Sequence, residues 1–343
     1  MYTFKIQTFD SSEIEGIINN LEPINKNFFY NSEWLRSFQQ DKHKAQNHYC
    51  VEIYYKNKIL MILFFQVQTK YSLKILTWLF MDEMNLATPL LMQKHDYIKQ
   101  DFIEILEKIF DYFKIDIISL DKNPNFINKM INPLSFYKNF SSGKIPIINL
   151  NKISWNDYYE TVSNAKTRQT DRRKEKLLLQ RGELRFIIAD SISDREKIFD
   201  FTIKNKVLFL KKRGLDYQKF QKIYLKLFNQ IKKNPKYVCS MLKLDNQIIS
   251  SIVSRLDDDY FYYLVPCTIE NDFLKYSPGR LLLKKQIEWC VANNINKIDL
   301  GPGEFKYKKQ WSNKIERNFK ILEPKSFLGN IFFILYKLKN FFN

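Results

Sequence analysis

The chain has 343 residues, 45% of them hydrophobic and 27% charged, with only 8 glycines. This is a globular composition with room for two domains, and it excludes a disordered chain. Basic side chains number 55 against 37 acidic ones, a net charge of +18; that favours phosphates, nucleic acids or anionic lipid, set against the plain reading of a lysine-rich solvated surface.

Cys50, Cys239, Cys267 and Cys290 are widely spaced, and His43, His48 and His95 fall in no metal-ligand pattern with them. The expectation is free thiols and no metal. The opening "MYTFKIQTFDSSEIEG" lacks a basic and then apolar signal pattern, and no run of about 18 uncharged apolar residues occurs. The expected location is therefore cytoplasmic, peripheral to the inner membrane face if the C-terminal tail engages lipid.

Taken in chain order, "NSEWLRSFQQ" reads as a helix capped by Asn31 or Ser32. "HYCVEIYYKNKILMILFFQVQ" reads as a hairpin turning at Lys56–Lys58. A third strand, an amphipathic helix "YIKQDFIEILEKIFDYF" and the strand "KIDIISL" follow. Residues 155–182 read as one long basic helix stopped by Gly182. The strand "ELRFIIAD", a helix pair (193–210 and 217–232) and a three-strand meander turning at Asp245–Asn246 and Asp257–Asp259 come next. A loop, a helix over 279–293 and the strand "NKIDL" close the pattern. Residues 31–120 repeat this order in compressed form. The predicted class is thus α/β (α+β) with mixed, mostly antiparallel sheets: domains 1–150 and 151–325, and an amphipathic tail at 326–343. The tail either docks on the protein's own core or lies in a membrane interface.

Two stretches carry the chemistry. "KYSPGR" opens a helix whose N-terminal amides and dipole favour an anion. Gly279 lets backbone approach a phosphate, Pro278 fits the first turn, and Lys275 and Arg280 add positive charge. The plain alternative is an ordinary loop N-capped by Ser277. The second stretch, "KIDLGPGEFKYKKQW", runs from a strand end through a Gly-Pro-Gly turn into basic and aromatic residues.

The order of these elements, ending in "SPGRLLLKKQIEWCVANNINKIDLGPGEFKYKKQW", resembles the GNAT superfamily of acyl-CoA-dependent N-acyltransferases. It is most similar to the CelD/BcsL-type proteins linked to cellulose and other surface polysaccharides. "SWNDYYETVSNAKTRQTDRRKEKLLLQRGELRF" resembles their basic leading helix, and "FFYNSEWLRSF" with "KNKILMILFFQVQ" their opening region. The resemblance covers roughly residues 28–315. It implies tandem GNAT-like domains and acetyl-CoA or another acyl-CoA as co-substrate. It further implies pyrophosphate held by Lys275–Arg280 (Lys275, Ser277, Pro278, Gly279, Arg280), pantetheine between splayed strands, and a thioester beside Leu264, Val265 and Pro266, polarised by a backbone amide. The loop departs from the commonest superfamily form in having a single glycine.

Within that frame Glu304 and Asp299, flanking the Gly301–Gly303 turn, are base candidates, and Tyr307 is the acid for the leaving thiolate. Lys308, Trp311, Arg168 and Arg172 are candidate acceptor contacts, with Trp311 equally readable as core. The expected acceptor is an amine on a small molecule, a sugar-nucleotide or a lipid-linked cell-envelope precursor. Two alternatives stand beside it: a Fem-type peptidyltransferase fed by aminoacyl-tRNA, which the positive charge suits, and a non-catalytic basic module serving a polysaccharide synthase.

Overall fold

A computed structural model describes residues 1–9, 13–25, 48–70, 72–80, 87–127, 130–137, 140–303 and 305–341. The helix expected over "NSEWLRSFQQ" lies outside the described residues. The chain divides into two compact units, residues 1–143 with 317–343, and residues 144–316.

In the first unit, β1 (Tyr2–Phe9) is followed by α1 (Ile14–Asn19), β2 (His48–Tyr55), β3 (Lys58–Lys70) and β4 (Leu73–Trp78). Each strand in the series β1, β2, β3, β4 pairs antiparallel with the next. The β2–β3 turn places Lys56 and Asn57 at φ of 48° and 62°, the left-handed pair that matches hairpin twist. A two-residue strand, β5 (Leu90–Leu91), adds to β3. The crossover helix α2 (Lys99–Tyr112) buries Phe102, Ile105, Leu106, Ile109 and Phe110, each burial contributing about 1.5–3 kcal/mol. It leads to β6 (Ile117–Pro124), which pairs parallel with β4. A small hairpin, β7 (Phe126–Ile127) and β8 (Met130–Ile131), follows.

The second unit takes up β9 (Phe140–Asn149), α3 (Trp155–Val162), α4 (Ala165–Leu179), β10 (Leu184–Ile188), α5 (Ile192–Lys212) and α6 (Tyr217–Ile231). The meander β11 (Tyr237–Leu244), β12 (Gln247–Asp257) and β13 (Tyr260–Thr268) comes next, then α7 (Pro278–Ala292), β14 (Lys297–Asp299) and α8 (Lys306–Trp311). The predicted single helix over 155–182 is instead two. Ser163 has extended backbone at the end of α3, and the Asn164 side chain accepts from the Thr167 amide to start α4 afresh. Such a cap competes with helix continuation.

The remaining strand, β15 (Lys314–Pro324), and helix α9 (Phe327–Phe341) close the chain. No strand was expected at β15, because alternating Lys, Glu and Arg mask its apolar face. It pairs antiparallel with β6, so the first unit has the series β1-β2-β3-β4-β6-β15, with one parallel pair. In the second unit the series is β10-β11-β12-β13-β14-β9, again with one parallel pair, β13–β14, in the same place. Each unit is thus a mixed, mostly antiparallel sheet flanked by helices.

Candidate active site

The second unit's parallel pair holds for three residues only, Tyr260–Tyr262 against Lys297–Asp299. Strand β14 then ends, whereas β13 continues to Thr268. At the point of divergence the β12–β13 register shifts: Val253 faces Val265 and Ser254 faces Tyr263. Leu264 is the extra residue of a bulge. Bulges re-aim side chains and end pairing, and here Leu264, Val265 and Pro266 lie along the edge that β14 has left. Leu264 and Pro266 are partly exposed, and Val265 is buried.

Beyond β13 a short 3-10 turn, Asp272–Tyr276, leads to Ser277 at φ 54° and ψ 54°. A left-handed serine before a proline is strained, and it swings the chain into α7. The Ser277 side chain makes no cap bond to α7; its Oγ accepts from Lys174 Nζ at 2.6 Å. The Ser277 carbonyl takes the Arg280 and Leu281 amides, and the Ser277 amide goes to Leu274. Pro278, buried at the first helical position, has no amide hydrogen. Among the described residues the Gly279 N–H meets no acceptor, which leaves it as a loop donor open to a ligand.

Gly279 itself departs from expectation. A Cβ there would meet Thr268 Oγ1 at 2.6 Å, so the missing side chain serves the close packing of α7 on the end of β13. Arg280 departs too. Its Nε and Nη2 grip the buried Asp171 carboxylate at 2.8 and 3.0 Å, Tyr159 donates to the same carboxylate at 2.7 Å, and the guanidinium lies 4.6 Å from the Trp311 ring. Committed to Asp171, Arg280 pins α4 to α7 and is not available to phosphate. Trp311 is core, fully buried and stacked on Tyr159. Arg168 caps the Ser163 carbonyl at 2.6 Å, closing the break between α3 and α4 and leaving the acceptor without it. Arg172 is exposed on the outer face of α4.

The cations actually beside the Gly279 loop are Lys174, Lys275 and Arg181. Lys275 Nζ sits 5.4 Å and the Arg181 guanidinium 5.2 Å from the Tyr276 ring. Neither Lys174 nor Arg181 stood out in the sequence, where seven cations crowd residues 166–181. An open groove of about 710 Å³ adjoins, lined by Arg181, Leu244, Asp245, Asn246, Gln247 and Phe273.

Asp299 is buried, which raises its carboxyl above the ordinary range; it accepts from Gly301 N at 2.6 Å and Tyr260 Oη at 3.2 Å. Accepting at one oxygen from the Gly301 amide and at the other from Tyr260, it anchors the start of the Gly301–Gly303 turn. Glu304 lies outside the described residues. Lys308 is buried with Nζ donating to the Gly301 and Pro302 carbonyls at 3.1 and 2.7 Å; burial pulls its ammonium down to about 8, against the opposing charge of Asp299. Tyr307 is partly buried, and burial pushes its phenol up to about 12 although Tyr263 hydrogen-bonds to it. All four cysteines are buried and reduced, with Cys267 raised to about 11 and Cys50 and Cys239 to about 12 by burial.

Residues 165–309 match the family model described as Acetyltransferase (GNAT) domain, and this match supports an acyltransferase. Among solved structures, a conserved protein of unknown function from Bacteroides thetaiotaomicron is 9% identical, with 94% of this chain and 100% of that one covered and a TM-score of 0.58. FemX is 11% identical, with 92% and 96% covered and a TM-score of 0.52. No curated protein matches the sequence.

Proposed function

We propose that the second unit transfers an acyl group from an acyl-CoA to an amine on an amino-sugar or related cell-envelope precursor. The observation that carries this reading is the divergence of β13 from β14 at the Leu264 bulge. It leaves strand edge unpaired at the carboxyl end of a parallel pair, where ligands of α/β sheets gather.

The residues fit a coenzyme A thioester. Gly279 N–H, the amino end of α7 and the Lys174, Lys275 and Arg181 cations would hold the diphosphate, and the groove beside Arg181 and Phe273 has room for the nucleotide end. The bound co-substrate supplies the activated acyl carbonyl. Leu264, without a partner on either neighbouring strand, offers backbone amide polarity next to that carbonyl. The acceptor nitrogen would attack the carbonyl carbon as the carbon–sulfur bond breaks. Tyr307 would give its phenolic proton to the leaving thiolate, and the proton lost by the amine to solvent would be returned from solvent to the Tyr307 phenolate, closing the cycle. Tyr307 is suited to this, since burial keeps its phenol protonated at neutral pH. All four thiols are buried, away from the partly exposed setting a cysteine nucleophile needs, and direct transfer is the route proposed.

A second reading has its own support. Lys166, Arg172, Arg173 and Lys176 are exposed along α4, and the FemX fold is shared. Both suit an aminoacyl-tRNA donor, since a row of cations follows a phosphate backbone. The test is release of free thiol from acetyl-CoA and longer acyl-CoAs over a panel of amino-sugars and their nucleotide conjugates. Acceptor-dependent thiol release is the expected result. Its absence, with acyl transfer from charged tRNA instead, overturns the first reading in favour of the second.

A further inference from the structure

We propose that α9 is a membrane-surface anchor, its outward apolar stripe bedded at the headgroup–acyl boundary of an anionic bilayer. This goes beyond the transfer chemistry and rests on the first unit alone.

The helix has apolar side chains on two faces. Inward, Phe332 and Phe333 pack on Leu73, Ile117 and Leu322. Gly329 comes so close to Asp116 that a Cβ would meet its carbonyl oxygen at 2.0 Å. Asp116 also fixes where α9 begins: its carbonyl accepts from Lys325 N at 2.8 Å and its carboxylate from Ser326 Oγ at 2.5 Å. Outward, Phe327, Leu328, Ile331, Ile334, Leu335 and Leu338 recur at helical spacing, forming one stripe. Their exposures run from 43% at Ile331 to 79% at Phe327. Hydrophobic residues scattered singly over a surface need no explanation, whereas a contiguous row marks an interaction site.

Charge and length select the occupant. Residues 327–343 contain no Asp or Glu but include Lys337 and Lys339. Lys337 Nζ lies 4.4 Å from the Phe333 ring and Lys320 Nζ 5.1 Å from the Tyr336 ring. These ammonium groups flank the stripe with their stems along apolar surface, as side chains do at a headgroup layer. At 15 residues the helix is about 22 Å long, and none of the described helices is long and apolar enough to cross a membrane. An in-plane position is the geometry left. A second copy of the chain is a poorer occupant, because each copy brings a net charge of +18 and the two repel.

The test is flotation of the full chain with phosphatidylcholine vesicles, with and without phosphatidylglycerol. The expected result is co-flotation with the anionic vesicles, much less with the zwitterionic ones, and release as salt is raised. Ile331→Glu with Leu335→Glu should weaken binding roughly a hundredfold. Both side chains point outward, so the variant should unfold at the wild-type temperature. Failure to float with anionic vesicles, or equal flotation of the double variant, overturns the proposal. So does a wild-type dimer, seen by light scattering, that the double variant turns into a monomer.

Discussion

The two units run through the same strands in the same order, yet they treat the place where their parallel strands part in opposite ways. In the first unit Trp78 and Asn123, both fully buried, are joined beyond the β4–β6 pair by a 3.1 Å bond from the indole nitrogen, and Asn123 also donates to the Leu120 and Phe319 carbonyls. In the second unit the corresponding edge carries the Leu264 bulge and stays partly exposed. The crossover helices differ in the same sense. The first turn of α2 holds Asp101, a carboxylate sitting where an anion would bind. The first turn of α7 holds no acid, and three cations surround it. One topology thus yields a filled gap in one copy and an unpaired, partly exposed strand edge in the other, and the difference rests on a few side chains.

The largest effect should come from emptying the filled gap. Trp78→Ala is expected to cost about 4 kcal/mol of stability through the cavity and the orphaned Asn123, read by urea unfolding, with acyl-CoA affinity unchanged. Asp171→Ala should cost about 3 kcal/mol, because it strands the largely buried Arg280 guanidinium; urea unfolding reads this as well. Arg280→Ala in the Asp171→Ala background should then add little further loss, as coupled partners do.

Next in size is Tyr307→Phe, expected to lower kcat about 10²-fold with the KM for acyl-CoA unmoved, in steady-state thiol-release assays. A parallel fall in both would make Tyr307 structural. Lys174→Ala with Arg181→Ala should weaken acyl-CoA binding about tenfold, more at low salt than at high.

The smallest expected effect is on pH. Burial raises the Asp299 carboxyl, so between its ordinary and raised values the folded state keeps a proton that the unfolded state releases. Stability should therefore fall as pH rises through that window, and Asp299→Asn should flatten the slope in thermal unfolding scans. The reverse slope, or none, would mean that Asp299 is ionised in its site.

Much of the architecture was legible because the hydrophobic periods switch cleanly between 2 and 3.6. The meander, the crossover helices and their strands follow from that alone. The side-chain assignments were less legible, since a sequence shows which residue types are near a loop and not which way they face. Arg280 looked like a phosphate ligand, but Asp171, 109 positions earlier, claims it. Gly279 looked like room for an anion, and it is Thr268 that requires the space. The single helix over 155–182 failed on one Asn cap. Lys174 and Arg181 were hidden among equivalent cations, and only the fold singles them out.

Titration of acetyl-CoA into the full chain by calorimetry tests the contrast between the units most directly. One site per chain is the expected result, weakened by Lys174→Ala with Arg181→Ala and indifferent to Trp78→Ala. Two sites, no site, or a single site that responds to Trp78→Ala and not to the lysine and arginine changes would contradict it.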